Sequence, residues 1–295
     1  MFIIIAKSVT IWYDGIGRSL GGKSVGHIIE CESEKLKLYH SVTKVEAESS
    51  FAPHYHDRCE IIYFISGEVV YSIEGRTYKL KKGDIVLSRP RQIHRILPRE
   101  GTEYERYVAI IDQTRISPDI WKSLDGSQDV FPARDNERIY ELYSKLDYYY
   151  THFSKEDFDH LAFSAIEEVL YNLTLASPYE VSFDGNPLVR AAIDYINDNL
   201  TVIRSIEDIC ASLFITKSHL HHLFTEHLQV TPAKYIVAKR LILAQRLIRR
   251  GQKPTEVFFQ CGFLDYATFF RNYKRHFGYA PNREGKAKRG DKIFV

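Results

Sequence analysis

Residues 262–281, GFLDYATFFRNYKRHFGYAP, decide how the C-terminal part of this chain folds. A glycine and a phenylalanine open the stretch as a turn signal, and Asp265 stands where a helix N-cap is expected. In the helix that follows, Phe269 and Tyr273 share an inner face, whereas Arg271 can face solvent. The stretch therefore predicts a short turn followed by a helix with an apolar inner face and a polar outer face.

A similar arrangement precedes it. Ser205 and Asp208 have the spacing of a helix start, and after a tight turn Thr216 can cap the segment KSHLHHLFTEHL. Two short helices joined by a few turn residues, the second with a polar outer face, describe a helix-turn-helix unit. The segment AKYIVAKRLILAQRLIRRG, residues 233–251, separates the two units and predicts a helix of about 17 residues, or about 25 Å at 1.5 Å per residue. Such a spacer could set two reading helices into successive major grooves, about 34 Å apart.

The charge of the chain is divided in the same way. The net charge of the 295 residues is only +2. Residues 1–184 contain 22 Lys and Arg against 29 Asp and Glu, whereas residues 185–295 contain 18 against 9. A basic C-terminal part is typical of a domain that binds a polyanion, although a solvated basic face would have the same charge.

The N-terminal part begins with short strands. Between about residues 36 and 106, runs such as EIIYFISG and RTYKLKKGD are separated by turn signals, as in antiparallel β structure. Past Ile116 the pattern becomes helical, most clearly over 154–176, where an apolar stripe indicates an amphipathic helix that packs on the barrel or pairs with a second copy. We therefore predict an α+β protein with a β-barrel domain over 1–176, a linker over 177–187 and an all-α domain over 188–295.

The C-terminal motifs resemble the DNA-binding domain of the AraC/XylS family of bacterial transcription regulators. The residues that carry the resemblance are the run 205–224, the Arg240-Leu241 pair with Ala244, and above all the stretch 262–281. The resemblance implies a domain of seven helices with two recognition helices in adjacent major grooves. The sequence departs from the family pattern at Phe258, where alanine is usual, which puts the packing of the second unit in question.

The resemblance also assigns DNA contacts. The positions implied to read bases are Ser218, His221 and His222 in the first unit and Tyr266, Ala267, Thr268 and Arg271 in the second. The positions implied to contact phosphates, which orient a protein without reading sequence, are Lys217, Arg240, Lys274 and Arg275.

A second resemblance lies in the N-terminal part. The spacing of His54, His56 and Glu60, followed by Gly67 and later by His94, is similar to the motifs of the cupin barrel. Imidazoles and a carboxylate on neighbouring strands can complete a divalent-metal site, or they can line a ligand pocket without a metal. We keep both alternatives, with His54, His56, Glu60 and His94 as metal ligands in the first. In either case the predicted ligand-binding set is His54, His56, Glu60, Tyr63, Tyr71 and His94.

These features predict a sequence-specific transcription regulator, an activator that responds to a small polar molecule such as a sugar and is not an enzyme. The expected partners are double-stranded DNA, the effector, RNA polymerase and a second copy of the chain that pairs through residues 135–176. A metal-dependent cupin enzyme with an added nucleic-acid module is the alternative, but an enzyme has no need of the C-terminal domain. Four separated cysteines without a CxxC pair and the lack of a signal-peptide pattern predict a cytoplasmic protein without a membrane segment.

Overall fold

The computed structural model describes residues 23–45, 52–126, 128–176, 186–286 and 292–293. Its contacts divide the chain into two compact units. The first unit contains most of the chain up to residue 183, and the second contains residues 184–295 with the short segments 52–55 and 74–76. The predicted linker lies almost wholly outside the described residues, as does the apolar start of the chain.

The chain forms two β-sheets, whose strands lie mostly in the first unit. Their strands are β1 (Lys23–Glu32), β2 (Leu36–Val45), β3 (His54–Tyr55), β4 (Cys59–Ser66), β5 (Val69–Ile73), β6 (Arg76–Lys79), β7 (Asp84–Ser88), β8 (His94–Pro98), β9 (Glu103–Ile111), β10 (Val130–Pro132) and β11 (Lys292–Ile293). One sheet has the order β1-β2-β9-β4-β7-β10, and the other has the order β11-β3-β8-β5-β6. β1 and β10 extend the predicted strand set at both edges of the larger sheet.

Both faces of the larger sheet are buried. Successive side chains of a strand point to opposite sides of the sheet, so each strand contributes to two apolar clusters. On β4, Ile61 and Tyr63 belong to one apolar cluster, and Ile62 and Phe64 belong to another. The first cluster also contains helix residues, so that face is covered by helices. The second contains residues of both sheets and forms the barrel interior.

Three helices follow in the first unit: α1 (Pro118–Leu124), α2 (Glu137–His152) and α3 (Lys155–Thr174). The start of α3 is as predicted, because the Ser154 side chain accepts a hydrogen bond from the backbone N–H of Asp157. Its buried stripe, which includes Phe158, Ile166 and Leu173, packs in the helix-side cluster of the sheet. The amphipathic helix therefore packs on its own barrel along that stripe.

The second unit is all helical between residues 187 and 286. Its α-helices are α4 (Pro187–Asn199), α5 (Ile206–Leu213), α6 (Lys217–Leu228), α7 (Pro232–Arg249), α8 (Pro254–Gln260) and α9 (Tyr266–Phe277). A 3-10 helix over Pro281–Lys286 brings the described helical segments to seven, the number that the resemblance implies. The spacer helix α7 has 18 residues, or about 27 Å, and buries Tyr235, Ala238, Leu241 and Ala244.

On α4 the buried stripe is Val189, Ala192, Ile193 and Ile196. Among the described residues, no helix is both long enough and apolar enough to cross a membrane.

Candidate nucleic-acid interface and sensor site

The first helix-turn-helix unit consists of α5 and α6. Asp208 in the first turn of α5 accepts hydrogen bonds from the backbone N–H groups of Arg204 and Ser205, at 2.7 and 3.0 Å. These bonds lower the pKa of the Asp208 carboxyl. In the turn, Phe214 has a left-handed backbone with φ of 55°, and Thr216 caps α6 by accepting from the N–H of His219. Local bonds therefore set the start of both helices.

The inner face of α6 anchors it, since Leu220, Leu223 and Phe224 are buried. Its outer face carries the four predicted DNA contacts, all of them exposed: Lys217, Ser218, His221 and His222. The Lys217 ammonium pairs with Glu207, and His222 Nδ1 lies 3.2 Å from Glu226 Oε2. Both pairs are on the surface, where such pairs are weak and readily exchanged for a phosphate.

The second unit consists of α8 and α9. Gly262 has φ of +82° in the turn, a conformation that glycine adopts without strain. The Asp265 side chain accepts a 2.7 Å hydrogen bond from the N–H of Thr268, and this bond lowers the pKa of the Asp265 carboxyl. Phe269 and Tyr273 are fully buried, as the sequence predicts.

The outer face of α9 carries the remaining predicted DNA contacts. Ala267, Arg271, Lys274 and Arg275 are exposed, while Tyr266 and Thr268 are half-buried. Arg271 Nη2 lies 3.2 Å from Thr268 Oγ1, so the base-reading candidates are adjacent on one surface. Their contacts to DNA remain predictions.

Phe258 does not disrupt the second unit, despite its size. Its ring is half-buried and packs edge-on against Tyr266, with ring centroids 5.7 Å apart, and lies 6.5 Å from the ring of Phe269. Val257 supplies the buried side chain of α8 instead. The large ring at this position therefore covers the start of α9 from the side.

Arg240 requires a correction. The sequence resemblance implies a phosphate contact, but the guanidinium is half-buried and donates to Leu200 O at 2.9 Å and to Ile203 O at 2.6 Å. Burial lowers the pKa of Arg240. The side chain therefore joins α7 to the end of α4 through these two donors.

Three imidazoles and a carboxylate form a cluster on and beside the strands β3, β4 and β8. His54, His56, Glu60 and His94 each offer a ligand atom, and these atoms lie within 4.8 Å of one another. His56, Glu60 and His94 are buried and His54 is half-buried. The structure thus brings together all four residues that the cupin motif predicts.

The ring orientation of each histidine is set by the backbone. His54 Nδ1 lies 3.2 Å from Ala52 O, His56 Nδ1 lies 2.7 Å from Arg58 O, and His94 Nδ1 lies 2.9 Å from Gln92 O. A carbonyl oxygen only accepts, so each Nδ1 carries the hydrogen, and in a neutral ring the lone pair that can bind a cation is then on Nε2. Metal-binding histidines are commonly oriented in this way.

Tyr71 joins this cluster, as predicted. Its hydroxyl donates to Glu60 Oε1 at 2.9 Å and lies 3.1 Å from Ser88 Oγ, and its ring stacks on His94 at 6.1 Å. Burial raises the pKa of Tyr71 far above the ordinary value, so the hydroxyl keeps its hydrogen. Ser88 was not predicted, since a lone serine at a strand end has no distinguishing pattern.

Tyr63 does not join the cluster, and this prediction is wrong. It lies three positions after Glu60 on β4, an odd spacing, so the two side chains point to opposite faces of the sheet. The Tyr63 ring stacks on Tyr143 of α2, with centroids 4.4 Å apart and planes 5° apart. Tyr63 therefore belongs to the helix-side core, where burial raises its pKa.

Models of known protein families match residues in both units. Residues 43–145 match the model of the AraC-like ligand-binding domain, and residues 209–286 match a helix-turn-helix domain model. The first match spans the barrel strands from the end of β2 and most of α2. The second begins in α5 and includes both helix-turn-helix units.

Relatives align over most of the chain. A lactose operon transcription activator from Staphylococcus xylosus is 27% identical over 218 residues, which are 72% of this chain and 77% of the relative. An HTH-type transcriptional activator RhaS from Escherichia fergusonii is 23% identical over 261 residues, which are 81% of this chain and 90% of the relative.

Among solved structures, ToxT from Vibrio cholerae O395 aligns with 85% of this chain and 97% of its own, at 14% identity and a TM-score of 0.35. A score this low adds no argument of its own. The two matched domain models, in the order sensor then helix-turn-helix, and the regulators aligned across both, establish the class. The chain belongs to the AraC/XylS family of transcription regulators.

Proposed function

We propose that the protein is a ligand-responsive transcription activator that binds an asymmetric DNA site through α6 and α9. The observation that carries the proposal is that each of these two helices has a buried apolar face and an exposed polar face. Their inner faces are buried and their first turns are capped by Thr216 and Asp265, while the outer faces present polar and cationic side chains. A helix anchored in this way can enter a major groove without rearrangement.

The proposed base-reading residues are Ser218, His221, His222, Tyr266, Ala267, Thr268 and Arg271. Lys217, Lys274 and Arg275 contact phosphates in this proposal, and Arg240 is omitted because its donors bind backbone carbonyls. Phosphate contacts supply affinity for any sequence, whereas contacts to base edges supply discrimination.

Selection of genomic fragments by the purified full chain tests DNA binding. We expect enrichment of a site with two blocks about one helical turn apart. Arg271→Ala should reduce the enrichment, whereas the matched control Arg99→Ala, an exposed arginine of the first unit, should keep it. Enrichment of no sequence by the folded wild-type protein would contradict the proposal.

We further propose that the first unit binds a small polar effector, with a sugar as the first class to test. This is supported by the relative described as a lactose operon activator and by the buried polar group around Glu60 and Tyr71. Of the residues predicted to bind ligand, His54, His56, Glu60, Tyr71 and His94 are retained and Tyr63 is withdrawn. Activation is supported by the relatives described as activators, and transcription in vitro with RNA polymerase, with and without effector, tests it.

The four-residue cluster is proposed to hold a divalent cation such as Zn²⁺. His56 Nε2 lies 3.2 Å from Glu60 Oε2, and His94 Nε2 lies 3.6 Å from Glu60 Oε1. Because the Nδ1 atoms carry the hydrogens, neutral rings would set lone pairs against a carboxylate, an arrangement that needs a cation or additional protons between them. A bound cation would offer a coordination site to an effector oxygen.

Metal content per chain tests the cation. After exposure to equimolar Zn²⁺ and gel filtration, mass spectrometry should give about one ion per chain for the wild-type protein. His56→Gln and His94→Gln should lose it, while His160→Gln, an exposed histidine on α3, should not. Absence of metal from the wild-type protein would show that the rings line a ligand pocket or are protonated.

We also propose a homodimer that forms through the exposed sides of α2 and α3. Tyr140, Tyr148 and Tyr171 are 59%, 54% and 56% exposed, and Leu175 just past α3 is 71% exposed. Large aromatic side chains at the surface are typical of protein interfaces. Sedimentation of the wild-type protein and of Tyr148→Asp should give a dimer and a monomer, respectively.

The alternative of a metal-dependent cupin enzyme is not favoured, because relatives that align over most of the chain are described as transcription activators. A regulator that binds chromosomal DNA would act in the cytoplasm.

A further inference from the structure

A second group of polar side chains lies inside the barrel, on the larger sheet. His27 on β1 is directly opposite Ser41 on β2, and Ser41 is directly opposite Arg106 on β9. In the next row, Thr43 is opposite Tyr104. Directly opposite residues have Cβ atoms about 4.5 to 5.5 Å apart, so these five residues form one continuous patch, here called the arginine patch.

The arginine patch faces the barrel interior. On β9, Tyr104 belongs to the interior cluster and Tyr107 to the helix-side cluster, so Arg106 shares the interior face with Tyr104. A register shift between His27 and Ile29 turns His27 to the interior, although Ile29 packs on the helix side. The His27 Nδ1 atom then lies 2.9 Å from Ser41 Oγ.

Several polar atoms of the patch lack hydrogen-bond partners within the described part of the chain. They are His27 Nε2, Thr43 Oγ1, Tyr104 Oη and Arg106 Nη1. Thr43 is 1% exposed and Tyr104 is 0% exposed, so their hydroxyls are remote from bulk solvent. A buried polar group without a partner costs about 1 to 3 kcal/mol, and several in one place point to a ligand that supplies the partners.

The charge of the patch selects the ligand. The Arg106 guanidinium lies 4.7 Å from the centroid of the Tyr104 ring, and no acidic side chain pairs with it among the described residues. The adjacent Glu105 lies 2.8 Å from His40 on the helix side of the sheet. Burial lowers the pKa of His27 and Arg106 adds to this effect, while Glu30 opposes it; the net shift is downward, which favours the neutral imidazole. Within the described part of the chain, the patch therefore presents one positive charge without an acidic partner.

We propose that the arginine patch binds the anionic group of a small effector, a carboxylate or phosphate carried by a polyhydroxylated molecule. Arg106 donates to two oxygens of the anion, as guanidinium groups do. The hydroxyls of Tyr104 and Thr43 donate to the same group, and His27 Nε2 bonds a neighbouring hydroxyl of the ligand. The proposal rests on the sensor function proposed above and narrows the effector from a neutral sugar to a sugar acid or sugar phosphate.

The arginine patch lies in other rows of the sheet than the proposed metal ligands around Glu60, although Arg106 interacts electrostatically with Tyr71 of that cluster. On the β4–β9 pair, Glu60 is opposite Ile110 and Phe64 is opposite Arg106. Four residues of strand correspond to about 13 Å at 3.3 Å per residue. A variant of the patch can therefore leave the proposed metal ligands intact.

Calorimetric titration of the purified full chain tests the proposal. The acidic probes are D-glucuronate, D-galacturonate and D-glucose 6-phosphate, and the neutral probes are D-glucose and D-galactose, all at matched ionic strength. We expect saturable binding of at least one acidic probe and none of its neutral counterpart. Arg106→Gln should weaken that binding about tenfold or more, while Arg99→Gln, a solvent-exposed arginine near the end of β8, should not change it.

Tyr104→Phe separates binding from folding. It removes a hydroxyl that has no partner in the described structure, so the ligand-free variant should melt no lower than the wild-type protein. Its affinity for the acidic probe should nevertheless fall. Preference for the uronates or for the phosphate identifies the anionic group.

Equal binding of acidic and neutral sugars, or an affinity unchanged by Arg106→Gln, would overturn the anionic assignment. So would failure of every acidic probe to bind the folded wild-type protein, or equal heat from sodium sulfate. Operator selection with the same preparation tests the regulator independently, so an effector of the wrong class is distinguishable from a protein that does not bind DNA.

Discussion

Replacing Arg240 by methionine distinguishes a structural role from contact with DNA. The substitution keeps an apolar stem and removes the guanidinium that donates to Leu200 O and Ile203 O, at 2.9 and 2.6 Å. A Cβ added at Gly262 would lie 2.9 Å from Arg240 Cζ, so the guanidinium also lies against the turn of the second helix-turn-helix unit. Its loss should loosen the junction of α4, α7 and that turn.

The magnitude follows from the two bonds. A hydrogen bond from a charged donor contributes about 1.5 to 3 kcal/mol. Because the side chain is only half-buried, water can replace part of these two bonds after the substitution. We therefore expect the free energy of unfolding of the second unit to fall by about 2 to 4 kcal/mol, less than the sum of the two bonds. Urea unfolding followed by circular dichroism at 222 nm measures it, since this unit is helical and both tryptophans of the chain, Trp12 and Trp121, lie outside it.

The salt dependence of DNA binding tests whether Arg240 also contacts a phosphate. If Arg240 does not touch DNA, the slope of log affinity against log salt concentration should be unchanged in the folded variant. The matched control is Lys274→Met on the exposed face of α9. It should change the stability by less than about 0.5 kcal/mol and reduce the salt slope by about 0.9, the value for one lost phosphate contact. Undiminished stability of Arg240→Met together with a reduced slope would refute the structural role.

Three further predictions concern the second helix-turn-helix unit. Arg271→Ala should weaken binding to the selected site by about 1 to 3 kcal/mol and binding to random DNA much less; equal losses on both, measured by fluorescence anisotropy, would remove Arg271 from the base-reading set. Gly262→Ala should lower the free energy of unfolding by about 1 to 2 kcal/mol or more, because φ is +82° and the new Cβ would lie 2.8 Å from Thr201 O; an unchanged urea midpoint would contradict this. The pKa of Asp265 is lowered in the folded state, so its stabilising effect is present above the ordinary carboxyl pKa and is lost as the pH falls through the folded value. The stability difference between the wild-type protein and Asp265→Ala should therefore shrink below about pH 4, and a difference constant down to pH 2 would argue against the cap.

Local interactions explain why the C-terminal unit could be predicted. The caps at Ser205, Thr216 and Asp265 involve bonds to residues three or four positions away, and the buried faces of α6 and α9 repeat with helical period. The histidine cluster was also predictable in part, since His54, His56 and Glu60 lie within seven residues.

Errors arose where distant segments meet. β4 is buried on both faces, so its apolar run does not indicate which side chains face the helices, and Tyr63 was assigned to the wrong face. The partners of Arg240 lie 37 and 40 residues earlier in the chain, and an arginine in a basic helix has the same pattern whether it binds carbonyls or phosphates.

The sequence by itself determined the family, the two helix-turn-helix units and the chemistry of the histidine cluster, because each depends on the spacing of residues that are close along the chain. Only the tertiary structure decided which face each barrel residue occupies and which polar groups have partners. The arginine patch shows the reason: His27, Ser41 and Arg106 are brought together by the pairing of three strands and by a register shift in β1. Pairing between strands as far apart as β2 and β9 depends on the packing of the whole domain, which no local pattern records.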